Sequence, residues 1–244
     1  MLQLTEPSTF ASADELANGA WSLVTRLGEA QILLPIMLAA TLWIVLVARS
    51  RAAALWWLAA TAGAALVTTA TKVAFIGYGI GYAPLDYTGI SGHAMFAAAI
   101  LPILAGLSVG PATAVTRRRG VVAAYALAAL IAWSRVVVRA HSPFEAALGF
   151  ALGGAASGLV LWRHALPALR PPRWFVVAGV VWLLCLPWNA PPSMTHDWVT
   201  RLSLTLSDRP RPYTRWQMHR DWRRAAAPVS AQRSAADQSW LGLR

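Results

Sequence analysis

Acidic residues are scarce in the middle of this chain. Between residues 31 and 190 the only carboxylates belong to Asp86 and Glu145, in a sequence of 244 residues with a formal net charge of +11. A segment this long with so few charges to bury can lie in hydrocarbon. Hydrophobic residues make up 57% of the chain and charged residues only 13%, which argues against an ordinary water-soluble domain.

Cysteine and lysine are scarcer still. The single cysteine, Cys185, lies inside an apolar run, so the sequence has neither a disulfide framework nor a cysteine-based metal spacing. Lys72 is the only lysine, and the other cationic side chains, histidine aside, are arginines. The first residues lack a basic stretch followed by an apolar one, so we expect no cleavable signal peptide.

Six apolar runs are present, each close to the ~20 residues with which a helix crosses ~30 Å of hydrocarbon. They cover residues 31–47, 52–70, 93–109, 121–138, 145–162 and 174–188. The sequence therefore predicts an all-α fold, a polytopic membrane bundle of about six transmembrane helices. Small residues crowd positions 153–158 of the fifth run, which suits close helix packing.

Arginines follow alternate runs and predict the topology. They are Arg49 and Arg51 after the first run, residues 117–119 after the third, and Arg163, Arg170 and Arg173 after the fifth. Loops of this kind stay in the cytoplasm, so the positive charge indicates topology and not a nucleic-acid partner. We expect a multi-pass protein of a bacterial inner membrane, with segments 77–92 and 139–143 on the periplasmic or exterior face.

Two terminal segments flank the predicted bundle, which spans residues 31–189. Residues 1–30 form an amphipathic or interfacial segment, in which a helix over 14–29 either lies on the membrane or packs as a short extra helix. One face of that helix would carry Leu16, Ala20, Val24 and Leu27. Residues 190–244 form a basic polar tail. Leu202, Leu204 and Leu206 alternate there before a proline-rich stretch, so the pattern permits a β-hairpin.

Four polar features interrupt the apolar pattern, all at the predicted outer face. Lys72 ends the second run, the sequence Gly-Ile-Ser-Gly-His at 89–93 precedes the third, and Arg135 ends the fourth. Glycine backbone amides and the start of a helix can bind an anion. Ser91 could instead be a helix N-cap, and Lys72 a lysine that snorkels to the interface; both of these roles are purely structural. His141 begins the fourth feature, which leads into the fifth run.

Arg135 requires an anionic partner. An arginine near a helix midpoint costs ~2.5–3.5 kcal/mol on insertion scales and less near the interface. The sequence offers only Asp86 and Glu145 as carboxylates on this face, and Arg139 adds a further cation one turn later. A bound phosphate is the partner that this arrangement favours, with snorkelling as the alternative.

Glu145 has two compatible roles. Ser142, Pro143 and Glu145 fit the N-cap, the N1 proline and the capping-box acid of the fifth helix. The same spacing brings the Glu145 carboxylate near His141, where it would hold one imidazole tautomer and leave the other ring nitrogen free as a nucleophile.

These features resemble the type 2 phosphatidic acid phosphatase superfamily, whose three signatures are KxxxxxxRP, PSGH and SRxxxxxHxxxD. Residues 134–135 and His141 fit the third signature, with Glu145 in the place of its aspartate. Residues 91–93 fit the second, with Ile90 in the place of its proline.

The first signature is incomplete. Lys72 fits its lysine, but Gly79 and Ile80 occupy the positions of the arginine and proline. The resemblance extends from Lys72 to about residue 162, so the two terminal segments lie outside it.

The resemblance implies a covalent mechanism that uses no metal and no cofactor. His141 would attack phosphorus to give a phosphohistidine, Glu145 would orient it, and His93 would protonate the leaving group and then activate water.

The same likeness assigns the anion-binding residues. Lys72, Ser91, Gly92 and Arg135 would hold the phosphate oxygens. Arg139 and Asp86 are candidate auxiliary residues, Arg139 as a replacement for the absent signature arginine.

The expected function is hydrolysis of a lipid phosphate or diphosphate, such as undecaprenyl diphosphate or phosphatidate, with membrane lipids as the surroundings. The alternative is a catalytically inactive relative that binds or carries anionic lipid, favoured by the incomplete first signature. A purely structural membrane protein leaves the clustered histidines unexplained. The oligomeric state stays open.

Overall fold

The computed structural model describes residues 13–109, 113–164, 171–189 and 195–226. In these ranges the chain forms nine α-helices: α1 (Ala13–Arg26), α2 (Ala30–Leu46), α3 (Arg51–Tyr78), α4 (Gly92–Val109), α5 (Ala114–Val137), α6 (Pro143–Arg163), α7 (Arg173–Asn189), α8 (Thr195–Ser207) and α9 (Arg215–Ala226). A single 3-10 turn, Ala83–Leu85, lies between α3 and α4. Parts of both predicted terminal segments fall outside the described residues, namely 1–12, 190–194 and 227–244, and so does Arg170.

The prediction of an all-α polytopic membrane protein is confirmed. Four helical segments in the described ranges are long and apolar enough to cross a membrane: Gly19–Leu46, which runs from the end of α1 through α2, and Arg51–Tyr78, Ala114–Val137 and Pro143–Arg163. Two shorter apolar helices, Gly92–Ser108 and Arg173–Cys185, correspond to the other two predicted runs. Large apolar side chains such as Leu46 and Leu66 are about 70% exposed, as expected for a surface that faces lipid.

Two helix boundaries differ from the predicted runs by more than two residues. Helix α3 continues from residue 70 to Tyr78, because the backbone stays helical until Gly79 takes a left-handed conformation (φ 74°) and ends it. Helix α5 begins at Ala114, where the Thr113 hydroxyl accepts a hydrogen bond from the Thr116 amide at 3.3 Å. The arginines at 117–119 therefore lie in the first turns of α5 and not in the preceding loop.

Helix α4 lies at the centre of the bundle, between α5 and α6. Ala97, Ala98 and Ile100 have no exposed surface. A Cβ atom on Gly153 of α6 would overlap the Met95 carbonyl of α4, so only glycine permits this approach. The Ser157 hydroxyl then donates to the Ala98 carbonyl at 2.7 Å, which ties the same two helices together.

The helix directions divide the bundle into two ends. Helices α2, α4 and α6 begin at the end where α3 and α5 finish, and we call this the site end. Those arginines of the predicted cytoplasmic loops that the structure describes lie at the opposite end, where Trp56 of α3 packs on His164 after α6 with ring centroids 5.9 Å apart.

Helix α1 packs on the site end as a short extra helix. Val24 and Leu27 are partly buried against the core, as their predicted apolar face requires, whereas Ala20 is exposed. A Cβ atom at Gly28 would lie 2.7 Å from Ile131 Cγ2, which brings the end of α1 close against α5.

Helices α8 and α9 also pack on the site end. Ser203 and Ser207 of α8 lie against Gly77 of α3. The Tyr78 hydroxyl donates to the Leu206 carbonyl at 2.9 Å, and the Tyr213 amide donates to the Ile76 carbonyl at 2.9 Å.

The open prediction of a β-hairpin here is wrong. Leu202 and Leu206 are exposed, and it is the small residue Ser203, with no exposed surface, that faces the bundle. The alternation of leucines thus did not mark a buried strand face.

Candidate active site

A cavity of about 830 Å³ opens at the site end of the bundle. Its basic lining consists of six side chains: Lys72, His93, Arg135, His141, His196 and Arg215. Apolar side chains line the neighbouring walls: Leu34, Ala65, Phe75, Met95, Phe96 and Val199. The cavity can therefore hold an anionic group next to an apolar one.

The start of α6 fixes two of the site residues. The Ser142 hydroxyl accepts from the Glu145 amide at 3.2 Å, and the Glu145 carboxylate accepts from the Ser142 amide at 3.1 Å, which is a complete capping box. Pro143 occupies the first turn, where a missing amide hydrogen has no cost. The local sequence thus holds the Glu145 side chain back toward the residue before the helix.

That residue is His141. Its Nδ1 lies 2.7 Å from Glu145 Oε2, so the carboxylate accepts a hydrogen bond from an Nδ1–H tautomer. The other ring nitrogen, Nε2, is then the one with a free electron pair, and the ring lines the cavity. The structure therefore combines the capping role and the histidine-orienting role in Glu145.

Glu145 has no exposed surface, and its two oxygens accept from further donors. Oε1 accepts from the Thr88 amide at 2.5 Å and from the Thr88 hydroxyl at 2.6 Å. Oε2 also accepts from Arg215 Nη2 at 2.9 Å. Several fixed donors satisfy the buried carboxylate, so its position relative to His141 is well determined.

The electrostatics of His141 favour the neutral ring. Burial lowers the pKa of His141, and the nearby charges of Lys72 and Arg135 lower it further, while the hydrogen bond to Glu145 opposes them. A neutral imidazole with its Nδ1 occupied can act as a nucleophile through Nε2.

Arg135 and Lys72 bring cationic groups to the cavity from α5 and α3. Arg135 Nη1 donates to the Thr25 hydroxyl at 2.8 Å, while its Nε is buried without a hydrogen-bond partner. The backbone of Gly89, with φ 137°, passes so close to Lys72 that a Cβ would lie 3.0 Å from the lysine Cγ. Both cations can reach an anion in the cavity.

Comparison with known proteins identifies the family of this chain. The family model of the PAP2 superfamily matches residues 77–168. A relative from Klebsiella pneumoniae, named "Uncharacterized 22.5 kDa protein in cps region", is 34% identical over 208 residues, which are 82% of this chain and 98% of the relative. The chain belongs to the PAP2 superfamily. No solved structure shows significant similarity to it. Membership of the PAP2 superfamily supports a phosphatase-type function for this membrane protein.

The PAP2 match covers only part of the cavity lining. It includes His93, Arg135 and His141, but it begins after Lys72 and ends before Arg215. The fold thus adds residues from both sides of the matched segment to the site.

Ser91 and Gly92 lie at the start of α4 in different surroundings. Gly92 lines the cavity, and a Cβ there would lie 4.0 Å from Lys72 Nζ. Ser91 has no exposed surface and does not line the cavity; its amide donates to the Glu145 carbonyl at 3.1 Å, and its buried hydroxyl has no hydrogen-bond partner. The structure therefore brings Gly92, but not the Ser91 side chain, to the cavity wall.

The two candidate auxiliary residues lie apart from the cavity lining. Arg139 is exposed, in a left-handed conformation with φ 56°, and does not line the cavity. Asp86 forms an ion pair with Arg215, and its Oδ1 is within hydrogen-bond distance, 2.6 Å, of His219 Nε2. Gly79, at the position of the signature arginine, faces Tyr213: a Cβ atom added at Gly79 would lie 3.5 Å from the tyrosine ring.

Sequence reasoning missed three residues near the reacting groups. Arg215 and Thr88 contact Glu145, and Glu29 lines the cavity as an acidic residue. The sequence predicted only Asp86 and Glu145 as carboxylates on this face. Glu29 is a third, because it directly precedes α2, which begins at the site end. Nothing in the spacing of the arginine-rich tail distinguishes Arg215 from its neighbours.

The described residues contain no group of three or more histidine, cysteine or acidic side chains placed to hold a metal ion. The acidic lining of the cavity comes from Glu29, whose Oε1 lies 3.5 Å from Arg26 Nε and whose Oε2 accepts from Gln31 at 2.6 Å. The donor set of the cavity therefore suits an anion better than a divalent cation.

Proposed function

We propose that this PAP2 protein hydrolyses a lipid phosphate or diphosphate, such as undecaprenyl diphosphate or phosphatidate, through a phosphohistidine on His141. The observation that carries the proposal is the His141 ring, bound at Nδ1 by the buried Glu145 carboxylate while the ring lines a cationic cavity. The apolar walls of that cavity, with Leu34, Ala65 and Phe96, suit the tail of a lipid.

In the first step, His141 Nε2 attacks phosphorus and forms an N–P bond as the P–O bond to the leaving group breaks. The electron pair of the broken bond stays on the leaving oxygen, to which a protonated His93 delivers its proton. Glu145 stabilises the positive charge that develops on the His141 ring.

In the second step, His93 accepts a proton from water as the water oxygen attacks phosphorus. The N–P bond breaks, its electron pair returns to Nε2, and inorganic phosphate leaves. In both steps Lys72, Arg135 and the Gly92 amide stabilise the negative charge on the phosphoryl oxygens.

The chemistry needs no metal or cofactor in this proposal. Lys72 and Arg135 supply the positive charge that a divalent cation would otherwise bring to a phosphoryl group. Turnover is therefore expected to continue in excess EDTA.

We also propose that the cavity faces the periplasm or exterior of a bacterial inner membrane. The cavity and the clusters Arg49–Arg51 and 117–119 are at opposite ends of the bundle. Short arginine-rich loops remain in the cytoplasm, whereas long segments such as the basic one that holds α8 and α9 follow this charge rule poorly, so the cavity end is the outer one.

The test is phosphate release by the purified protein in detergent from a panel of lipid phosphates, with EDTA present. We expect release by the wild type, none by His141→Ala, and slower formation and breakdown of the phosphoenzyme by His93→Ala, by about 10²–10⁴-fold. Arg139→Ala, at an exposed residue outside the cavity, is the matched control and should retain turnover. Binding of the lipids without phosphate release would support the inactive lipid-binding alternative instead, and full activity of His141→Ala would exclude the phosphohistidine.

A further inference from the structure

Arg215, the first residue of α9, connects the C-terminal segment to the centre of the site. Its Nη2 donates to Glu145 Oε2 at 2.9 Å and to the Thr88 hydroxyl at 3.1 Å. Its Nη1 forms an ion pair with Asp86. One guanidinium thus joins the carboxylate behind His141 to a second carboxylate in the loop between α3 and α4.

The surroundings of Arg215 hold it in this position. Met218, one turn later, is 5% exposed and packs with Phe75, Ile76 and Ala83. Thr214 directly precedes the helix, and its amide donates to Gln217 Oε1 at 2.8 Å, which caps the first turn of α9. The guanidinium is therefore attached to a packed helix and not to a free tail.

The pair with Glu145 differs from an ordinary surface ion pair. Arg215 is 35% exposed, but the side chain of Glu145 has no exposed surface. A buried carboxylate cannot turn to water when its partner is removed, so the loss of the guanidinium leaves its charge poorly compensated. While His141 is neutral, Arg215 is the cation in direct contact with Glu145 among the described residues.

We propose that Arg215 is a positioning residue for the reaction, which holds the Glu145 carboxylate against His141 Nδ1 from the C-terminal helix. This inference rests on the proposed phosphatase function. It makes α9 part of the active site, although α9 lies beyond the segment that the PAP2 family model matches.

The mechanism predicts which kinetic constant changes. Arg215 shares Oε2 of Glu145 with His141, so its removal should loosen the carboxylate and slow the attack by His141 more than it weakens substrate binding. A residue that acts mainly by binding the phosphate would instead raise KM.

The experiment compares kcat and KM of Arg215→Gln, Arg215→Lys and Glu145→Gln with those of the wild type, using a short-chain phosphatidate in detergent micelles. Arg215→Gln should lower kcat about 10- to 100-fold, as expected for the loss of one hydrogen bond between charged groups, with little change in KM. Arg215→Lys keeps the charge but not the two-pronged geometry, so its kcat should be intermediate. Arg223→Gln removes an exposed arginine of the same helix and should match the wild type.

A double variant separates positioning from an independent role. If Arg215 acts through Glu145, adding Arg215→Gln to Glu145→Gln should change kcat less than about twofold, because neighbouring residues that act as a unit are not additive. Effects that multiply in the double variant, or an increase in KM alone, would overturn the inference.

The outcomes also distinguish this inference from the proposed function. An active wild type with an equally active Arg215→Gln would overturn the inference and leave the function intact. A wild type that releases no phosphate would overturn both. If Arg215→Gln fails to fold, Arg215→Lys takes over the test: a lowered kcat at unchanged KM supports the inference, and a wild-type kcat overturns it.

Discussion

The imidazole of His141 and the carboxylate of Glu145 are joined by a hydrogen bond of 2.7 Å across the first turn of α6. The same carboxylate closes the capping box with Ser142, so helix initiation and histidine orientation depend on one side chain. A change at Glu145 therefore affects folding and chemistry together, and its variants have to separate the two.

The first prediction concerns the length and charge of this side chain. Glu145→Asp withdraws the carboxylate by one methylene from His141 and Thr88, so we expect kcat to fall about 10- to 100-fold. Glu145→Gln keeps the length but loses the charge, and we expect a larger loss, about 10²–10⁴-fold. Steady-state kinetics in detergent measure both, with thermal unfolding as the check on folding. Full activity in a folded Glu145→Gln protein would leave this residue only its capping role.

The second prediction is the position of the acidic limb of the pH–rate profile. The pKa of His141 is lowered from its ordinary value near 6.5, mainly by burial and also by Lys72 and Arg135. Because the proposed nucleophile is the neutral ring, activity should be present above this lowered pKa and be lost as the pH falls through it. The acidic limb of kcat/KM should thus lie below pH 6.5.

The variant Lys72→Met tests whether the charge of Lys72 contributes to the lowered pKa of His141. Removal of this charge raises the pKa of His141, so the acidic limb should move to higher pH, along with weaker phosphate binding. Arg118→Met makes the same change of charge at an exposed position on the opposite end and should leave the limb in place. An acidic limb that does not move in Lys72→Met would mean that another group controls it.

Some of this site follows from the sequence for physical reasons. The four-residue spacing of His141 and Glu145 at a helix start brings their side chains together, and Ser142 and Pro143 indicate where that start lies. His93 and Arg135 belong to helix ends that the apolar runs delimit, so the alternation of runs places them at one end of the bundle. Local periodicity and helix direction were sufficient for these residues.

The remaining contacts depend on packing that no local pattern encodes. Arg215 reaches Glu145 across 70 positions of sequence, and its segment has neither an apolar run nor a regular period. Thr25 contacts Arg135 because α1 packs on α5, and the amphipathic pattern of α1 did not decide between this packing and a position on the membrane surface. The extension of α3 to Tyr78 is set by the left-handed Gly79 and by contacts with α8, not by hydropathy.

The third prediction tests the direction of the bundle in the membrane. Tyr82 and Arg118 are exposed at the site end and the opposite end, respectively. In a Cys185→Ala background, a cysteine replacing Tyr82 should react with a membrane-impermeant thiol reagent in intact cells. A cysteine replacing Arg118 should react only after the cells are permeabilised. The opposite labelling pattern would mean that the site end faces the cytoplasm.

The fourth prediction concerns the contact between α4 and α6. A Cβ atom at Gly153 overlaps the Met95 carbonyl, which is backbone and cannot turn aside, so Gly153→Ala should destabilise the protein by about 1–3 kcal/mol. Gly154→Ala is the matched control, because its Cβ would make an ordinary contact of 3.8 Å with Tyr125. Thermal unfolding in detergent compares the two, and equal stability would contradict the close helix approach.

The position of α8 and α9 after the last apolar helix has a consequence for biosynthesis. These helices are the last described part of the chain to leave the ribosome, and Arg215 reaches Glu145 only when they have crossed to the site end and folded there. A nascent chain that has inserted α2 to α7 thus already contains His141, His93 and Lys72 but lacks one wall of the cavity. Catalytic competence would then arise only once α9 has been translated and has folded, and a stop codon or a bulky fusion ahead of α9 would give an inserted bundle with an unfinished site.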